Sequence, residues 1–297
     1  MSVRSSSTFA QIAIDGRYWK YDGRHALSLG GWNHSHNPFI DHDTDNDKDN
    51  KGVSTAAQIK KAMDELAAAG GNCLRCVLDP GMAAGIQGVD FCAKSGTQYD
   101  LNTMTGPFWT RLEMFIAEAK KRSIIVQIEL WDRFDLIDGG WGSWPVSPWN
   151  PKNNIDHAIE EWWRSLLAGV AGVRFHRPTS GIGLYDTAKN CISATRKVES
   201  RVKFWDVEPR LDLLTNRQSD EAYLAADPGK AYILYFTKNG GGSVGLKLDG
   251  HSDATFELRW VDIGTGNWGP ATTISGESTV TMDRPNSSSH WVATIVR

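Results

Sequence analysis

Ile124-Ile-Val-Gln-Ile-Glu-Leu-Trp-Asp-Arg-Phe-Asp135 is the stretch on which the fold of this chain turns. Its first half is apolar and β-branched, the composition of a strand covered on both faces. Polarity then arrives at once: Glu129, Asp132, Arg133 and Asp135 crowd the carboxyl end, with Trp131 and Phe134 among them. Alternation along a strand puts Gln127, Glu129 and Trp131 on one side and Ile128, Leu130 and Asp132 on the other. In parallel α/β sheets ligands sit at the carboxyl ends of strands, so these side chains mark a candidate site. The plain alternative is a solvated acidic loop with a salt bridge to Arg133.

Outward from this stretch, strand and helix patterns alternate. A helical stripe precedes it, opened by Pro107, turning Phe108, Leu112, Phe115, Ile116 and Ala119 inward, and closed by Lys120-Lys-Arg122. Upstream, Asn72-Cys-Leu-Arg-Cys-Val-Leu-Asp79 reads as another strand that delivers Arg75 and Asp79 toward its end. Before it, a helix capped by Ser54 carries Ile59, Met63 and Leu66 and stops at Gly70-Gly71. His25–Gly31 is a first core strand, entered from a hairpin over 14–22 that turns at Asp22-Gly23 and followed by Trp32, Asn33, His34, His36 and Asn37.

Downstream, a Trp-, Pro- and Gly-rich loop over 136–156 leads to a strong stripe of Ile159, Trp162, Trp163, Leu166, Leu167 and Val170. A short strand from Gly172 ends on Arg174, His176 and Arg177, and a helix over about 186–204 follows. Arg174, His176 and Arg177 suit an acidic or hydroxyl-rich ligand; a structural histidine is the alternative for His176. The order strand–helix–strand–helix–strand is the repeating unit of a parallel α/β fold. From Glu221 onward Ala231–Thr237, Ser243–Leu248, Thr255–Ile263, Thr279–Met282 and Trp291–Val296 alternate at strand period between Gly- and Pro-rich turns, as in a small all-β sandwich.

The totals narrow the function classes. A formal net charge of -3 in 297 residues offers no basic surface for nucleic acid or membrane. Thirteen tryptophans suit either core bulk or platforms for sugar rings. Four cysteines are no disulfide framework, and Cys73 and Cys76, three apart on a strand, face opposite sides. The amino terminus lacks the apolar segment of a signal peptide, and no apolar run is long enough to span a bilayer. Aspartate at every second position, Asp43, Asp45, Asp47 and Asp49, suits a calcium ion, although the sharp-turn glycine and closing glutamate of an EF-hand are missing. A solvated acidic lid is the alternative.

Several motifs together resemble a known family: Gly16-Arg-Tyr-x-x-Tyr with Gly30-Gly, then Val126–Asp135, Asn150-Pro-Lys-Asn-Asn154 and Val173-Arg-Phe-His-Arg-Pro-x-x-Gly-Ile-Gly183. They look like the apiosidase-like glycoside hydrolases, which are TIM barrels. Ala222-Tyr-Leu-x-x-Asp-Pro-Gly, Arg259-Trp-Val-Asp-x-x-Thr-Gly-x-Trp268 and His290-Trp-Val look like the β-sandwich that carries a collagen-binding label in those proteins. The resemblance implies a carbohydrate partner, no required cofactor and a secreted or periplasmic setting.

The chain departs from that family in one respect. A complete eight-stranded barrel takes about 250 residues, whereas only residues 1–219 precede the sandwich at 220–297. In the family a long central section separates the Asn-Pro motif from the helix that begins like His157-Ala-Ile-Glu-Glu-Trp-Trp163; here they abut at Ile155-Asp156. The expected architecture is therefore α/β, a partial or shortened (β/α) barrel followed by an all-β sandwich, and neither family catalytic carboxylate maps onto this chain. The surviving catalytic candidates are Glu129, Asp132 and Asp135. Substrate-binding candidates are Trp32, His34, His36, Arg75, Asp79, Trp131, Arg133, Arg174, His176 and Arg177. Two readings follow: a glycosidase using carboxylate acid/base chemistry, or an inactive, truncated carbohydrate-binding protein. A shortened barrel would also leave the strands at 124–131 and 173–177 as open edges, which either pair with each other or pair two copies into a homodimer.

Overall fold

The computed structural model describes residues 12–21, 23–33, 40–41, 52–78, 90–95, 98–129, 155–176, 183–248, 253–276 and 279–297. The chain opens with an antiparallel sheet of three strands, β1 (Ile12–Asp15), β2 (Tyr18–Tyr21) and β3 (Arg24–Ala26). Gly16 and Gly23 take the left-handed conformation, with φ of 60° and 78°, that the two tight turns need. The expected single hairpin is thus a meander, because Gly16 supplies a turn of its own.

β4 (Ser28–Asn33) follows, then the paired short strands β5 (Ile40–Asp41) and β6 (Gly52–Val53). Helix α1 (Ala56–Ala68) is capped by Thr55 rather than by the expected Ser54. Thr55 Oγ1 accepts from the Gln58 N–H at 3.2 Å, and the Gln58 side chain takes the Thr55 N–H at 2.6 Å. Only Thr55 has a glutamine three residues on, which closes the reciprocal box. Ile59, Met63 and Leu66 are buried, as the stripe requires, and the chain leaves through Gly70 at φ 90°.

β7 (Cys73–Val77) comes next, then a hairpin of β8 (Cys92–Ser95) and β9 (Gln98–Met104), a segment without strand periodicity in the sequence. Helix α2 (Gly106–Lys121) buries Phe108, Leu112, Phe115 and Ala119, whereas Ile116, expected inward, is 40% exposed. β10 (Ile125–Glu129), α3 (Ile155–Leu167), β11 (Gly172–His176) and α4 (Asp186–Arg201) complete the alternation. Helix α4 ends earlier than its stripe implied, and a 3-10 turn at Phe204–Asp206 follows.

The four strands form one sheet in the order β10-β7-β4-β11. β10 and β7 run parallel, in register from Ile125 against Cys73 to Glu129 against Val77, and β4 runs parallel to β7 with Gly30 against Cys73. On the other flank the Ser28 N–H donates to the Ala171 carbonyl at 3.0 Å. Gly172 packs against Ser28 and Arg174 against Gly30, so β11 ascends with β4. Leu29, Leu74, Cys76, Val173 and Phe175, which share one side by alternation, are buried, whereas Ile128 of β10, on the same side opposite Cys76, is 43% exposed, so β10 is not covered on both faces as its composition implied. Cys73 and Cys76 are both buried free thiols, and burial pushes Cys76 up to about 12.

Beyond α4 the chain is β-rich: β12 (Glu208–Pro209), β13 (Leu214–Thr215), β14 (Ala222–Asp227), β15 (Ala231–Phe236), β16 (Ser243–Lys247), β17 (Thr255–Asp262), β18 (Asn267–Ser275), β19 (Thr279–Asp283) and β20 (Trp291–Val296). Six of them make an antiparallel sheet, β12-β14-β15-β20-β17-β18, and three make a second, β13-β16-β19. Both contribute to one core, with Leu234, Phe236, Phe256, Trp260 and Ile295 from the larger sheet and Val244, Leu246 and Met282 from the smaller. The longest strand, β18, lies at the sheet edge, where Pro270 removes no ladder donor. Two strands, β12 and β13, precede residue 220 yet pair with β14 and β16.

The chain divides into two compact units, one comprising residues 1–28, 162–173 and 194–297 and the other 29–161 and 174–193. In the first, Trp163 of α3 stacks on Tyr235 of β15 at 5.9 Å, and the Tyr235 hydroxyl lies 3.0 Å from His290 Nδ1. His290 Nδ1 also accepts the Lys238 N–H at 3.1 Å. In the second, Arg122 at the end of α2 bonds Asp64 of α1 at 2.6 Å and Glu118 at 2.7 Å. No helix among the described residues is long and apolar enough to cross a membrane.

Candidate functional site

The second side of the parallel sheet is polar. By register Gly30, Cys73 and Ile125 form one row across it, and Arg75 and Gln127 form the next. Arg174 of β11 packs beside Gly30 of the first row and reaches the second with its side chain. Its Nη1 donates to Gln127 Oε1 of β10 at 2.8 Å, a bond between the two edge strands of the sheet. Three interstrand spacings amount to about 14 Å in a flat sheet, more than one arginine covers, so the arginine lies across the sheet and Gln127 comes to meet it.

Gly30 makes this possible. A Cβ there would stand 2.7 Å from Arg174 Cγ and 2.6 Å from the Cys73 carbonyl oxygen. The glycine serves a close approach, not an unusual φ. Its neighbour Gly31 serves the apolar side in the same way, where a Cβ would collide with Leu184. The site is therefore built from two adjacent glycines that let material pack tightly on opposite sides of β4.

Chemically, the row of Arg75, Gln127 and Arg174 is a donor-rich surface. Two guanidinium forks and an amide bring many directed N–H groups into one row, chemistry that matches hydroxyls and carboxylates, and Gln127 supplies an acceptor already engaged by Arg174. None of the described side chains on this face is a carboxylate. The structure thus brings together Arg75 and Arg174 from the sequence candidates and adds Gln127 and Gly30. The signal for Gln127 was present: one amide inside an otherwise apolar β-branched run.

Three further candidates are placed by backbone only. Trp32 stands two residues beyond Gly30 on β4, Glu129 ends β10 opposite Val77, and His176 ends β11 two residues beyond Arg174. Their side chains lie outside what is described. His34, His36, Asp79, Trp131, Asp132, Arg133, Asp135 and Arg177, and the loop with Asp43, Asp45, Asp47 and Asp49, lie outside the described residues. All four strands lead into segments that hold these candidates, on the carboxyl side where ligands bind in parallel α/β sheets. Among the described residues no group of three or more His, Cys, Asp or Glu is placed to hold a metal ion.

No protein-family model and no curated protein sequence matches the chain. Solved structures do. A glycoside hydrolase matches over 97% of this chain and 97% of its own, with a TM-score of 0.60 and 10% identity. A family 5 glycoside hydrolase from Bacteroides vulgatus matches over 96% of this chain and 93% of its own, with a TM-score of 0.64 and 10% identity. At such identities the likeness is one of fold. The chain has a glycoside hydrolase-like fold, a mixed α/β arrangement with a parallel sheet and separate antiparallel sheets.

Proposed function

We propose that this chain is a carbohydrate-active protein built on a shortened (β/α) barrel with a carboxyl-terminal β-sandwich, and that it binds its saccharide over the Arg75–Gln127–Arg174 row. The observation that carries the proposal is that row. In a fold shared with glycoside hydrolases, the polar side of the parallel sheet leads directly to the carboxyl ends of its strands. Guanidinium and amide groups suit hydroxyl-rich or acidic sugars. Within the class, the motif resemblance favours the apiosidase-like group; the collagen-binding label of the last domain is not carried over.

Hydrolysis would need two carboxyl groups, about 5–5.5 Å apart for retention or about 6.5–9.5 Å for inversion. Glu129 is the proposed general acid, with Asp132 or Asp135 as its partner. A panel of aryl glycosides and of plant, algal and microbial polysaccharides tests this. Turnover that falls about a hundredfold or more in Glu129→Gln supports the enzyme, and unchanged turnover removes Glu129 from the chemistry. The second reading, a binding protein without turnover, rests on the family catalytic carboxylates, neither of which maps onto this chain. Binding by the wild type that is weakened in Arg174→Ala, with no product released from any substrate, would establish it.

Calcium at Asp43, Asp45, Asp47 and Asp49 is part of the proposal as a structural ligand. Added calcium then raises the melting temperature, and Asp45→Asn with Asp47→Asn removes the increase. A melting temperature indifferent to calcium and chelator would reject the site.

A further inference from the structure

We propose a second ligand site, for an acidic saccharide, in an open cleft of about 680 Å³ beside Trp205, with no lining residue on β4, β7, β10 or β11. Arg24, His25, Arg196, Glu199 and Lys203 supply its charged and titratable groups. That the ligand is a saccharide rests on the carbohydrate reading above; that it is acidic rests on the cleft alone.

Trp205 sits on the 3-10 turn after α4 and is held from behind. The Tyr18 hydroxyl donates to the Phe204 carbonyl at 2.8 Å, and the Tyr18 ring meets the indole edge-on at 6.4 Å. The His25 ring packs on the indole at 5.4 Å with a tilt of 32°. The indole remains half-buried, so an amphipathic ring of defined orientation borders the cleft.

The charges around it do not cancel. Glu199, the carboxylate of the lining, is bound to Arg196 at 2.5 Å. His25 is bound to Asp15 at 3.0 Å, and Asp15 is also paired with Lys20 at 2.5 Å. Those contacts hold the Asp15 carboxyl below the usual carboxylate range, Lys20 contributing most. Lys203 places its ammonium 5.8 Å above the indole and bonds the Glu199 carbonyl oxygen, not a carboxylate. Arg24 is exposed and makes no ion pair among the described residues. Two cations without a carboxylate partner among the described residues thus flank an aromatic ring. A carboxylate or sulfate on a sugar would gain charge-assisted hydrogen bonds from both while the ring meets the indole; a neutral sugar gains only the second. A nucleic acid is disfavoured by the net charge of -3, which repels a long polyanion.

Calorimetric titration of the full chain with uronate oligosaccharides from alginate, neutral maltooligosaccharides and a DNA duplex tests the site. The uronate chain is expected to bind the wild type at least tenfold more tightly than the neutral one. Arg24→Ala with Lys203→Ala should remove that preference, and both positions are exposed, so folding is spared. Trp205→Ala should weaken both saccharides at this cleft, whereas Arg174→Ala should remove only uronate bound at the parallel sheet and leave the Trp205-dependent binding unchanged. Unaltered uronate binding in the double variant would overturn the proposal. So would loss of all uronate binding in Arg174→Ala, equal affinity for the DNA duplex, or no uronate binding at all.

Discussion

Gly30 has an ordinary backbone conformation, and its role comes from what lies above it. The Arg174 side chain crosses β4 at the one position without a Cβ, and the Cys73 carbonyl closes in from the neighbouring strand. Alanine there meets backbone on one side and an anchored arginine on the other, so neither neighbour can yield cheaply. Gly30→Ala is expected to destabilise the protein by about 2 kcal/mol, as overpacking does, and to detach Arg174 from Gln127. The midpoint of urea unfolding measures the first effect. Saccharide affinity matching that of Arg174→Ala would report the second. A variant as stable as the wild type with unaltered affinity would show that Arg174 does not need this path.

At the scale of elements, the contact between α1 and α2 is organised around a nearly buried carboxylate. Glu118, 8% exposed, receives Lys121 at 2.7 Å and Arg122 at 2.7 Å, and Lys60 stands 3.8 Å away. Bonds from Lys121 and Arg122 hold its pKa at about 2, against an ordinary value of 4.5. A carboxyl depressed on folding contributes stability that is complete above the unfolded value and is lost as pH falls through the folded one. The wild type should therefore lose stability more steeply than Glu118→Gln as pH falls from 4.5 to about 2. The two proteins should differ most near neutral pH and converge at the acid end, as urea midpoints across that range would show. Parallel curves would mean that the ion cluster adds nothing to folding. The same cluster shows where pattern reading stops. The stripe of Phe108, Leu112, Phe115 and Ala119 was legible because burial follows the 3.6-residue period, but Ile116 lies at the margin of that face and is exposed.

Across the whole molecule, the four parallel strands end on β10 and β11, and among the described strands nothing pairs with their outer sides. These are the edges from which a homodimer was expected, and the proposal stands as a prediction. Sedimentation velocity over a hundredfold concentration range should show a mass rising toward twice 32.9 kDa. A constant monomer mass would exclude pairing through the edges.

The sequence by itself determined the alternation of strand and helix, the parallel course of the strands expected at 25–31, 72–79 and 124–131, and the β-rich character of everything after Glu221, although the first of those strands starts only at Ser28 because His25 pairs antiparallel with Lys20 in the opening sheet. Those features follow from local periodicity, which each segment carries within itself. It also marked Arg75 and Arg174 as polar groups on core strands. Only the tertiary structure decided that Arg174 reaches Gln127, that Gly30 is the gap it passes over, and that Trp205, Arg24 and Lys203 border one cleft. It decided too that the short strands at 208–209 and 214–215 join sheets formed largely by later residues. The reason is physical: each of these depends on chain segments far apart in sequence, and the period of one segment holds no information about which other segment will lie beside it.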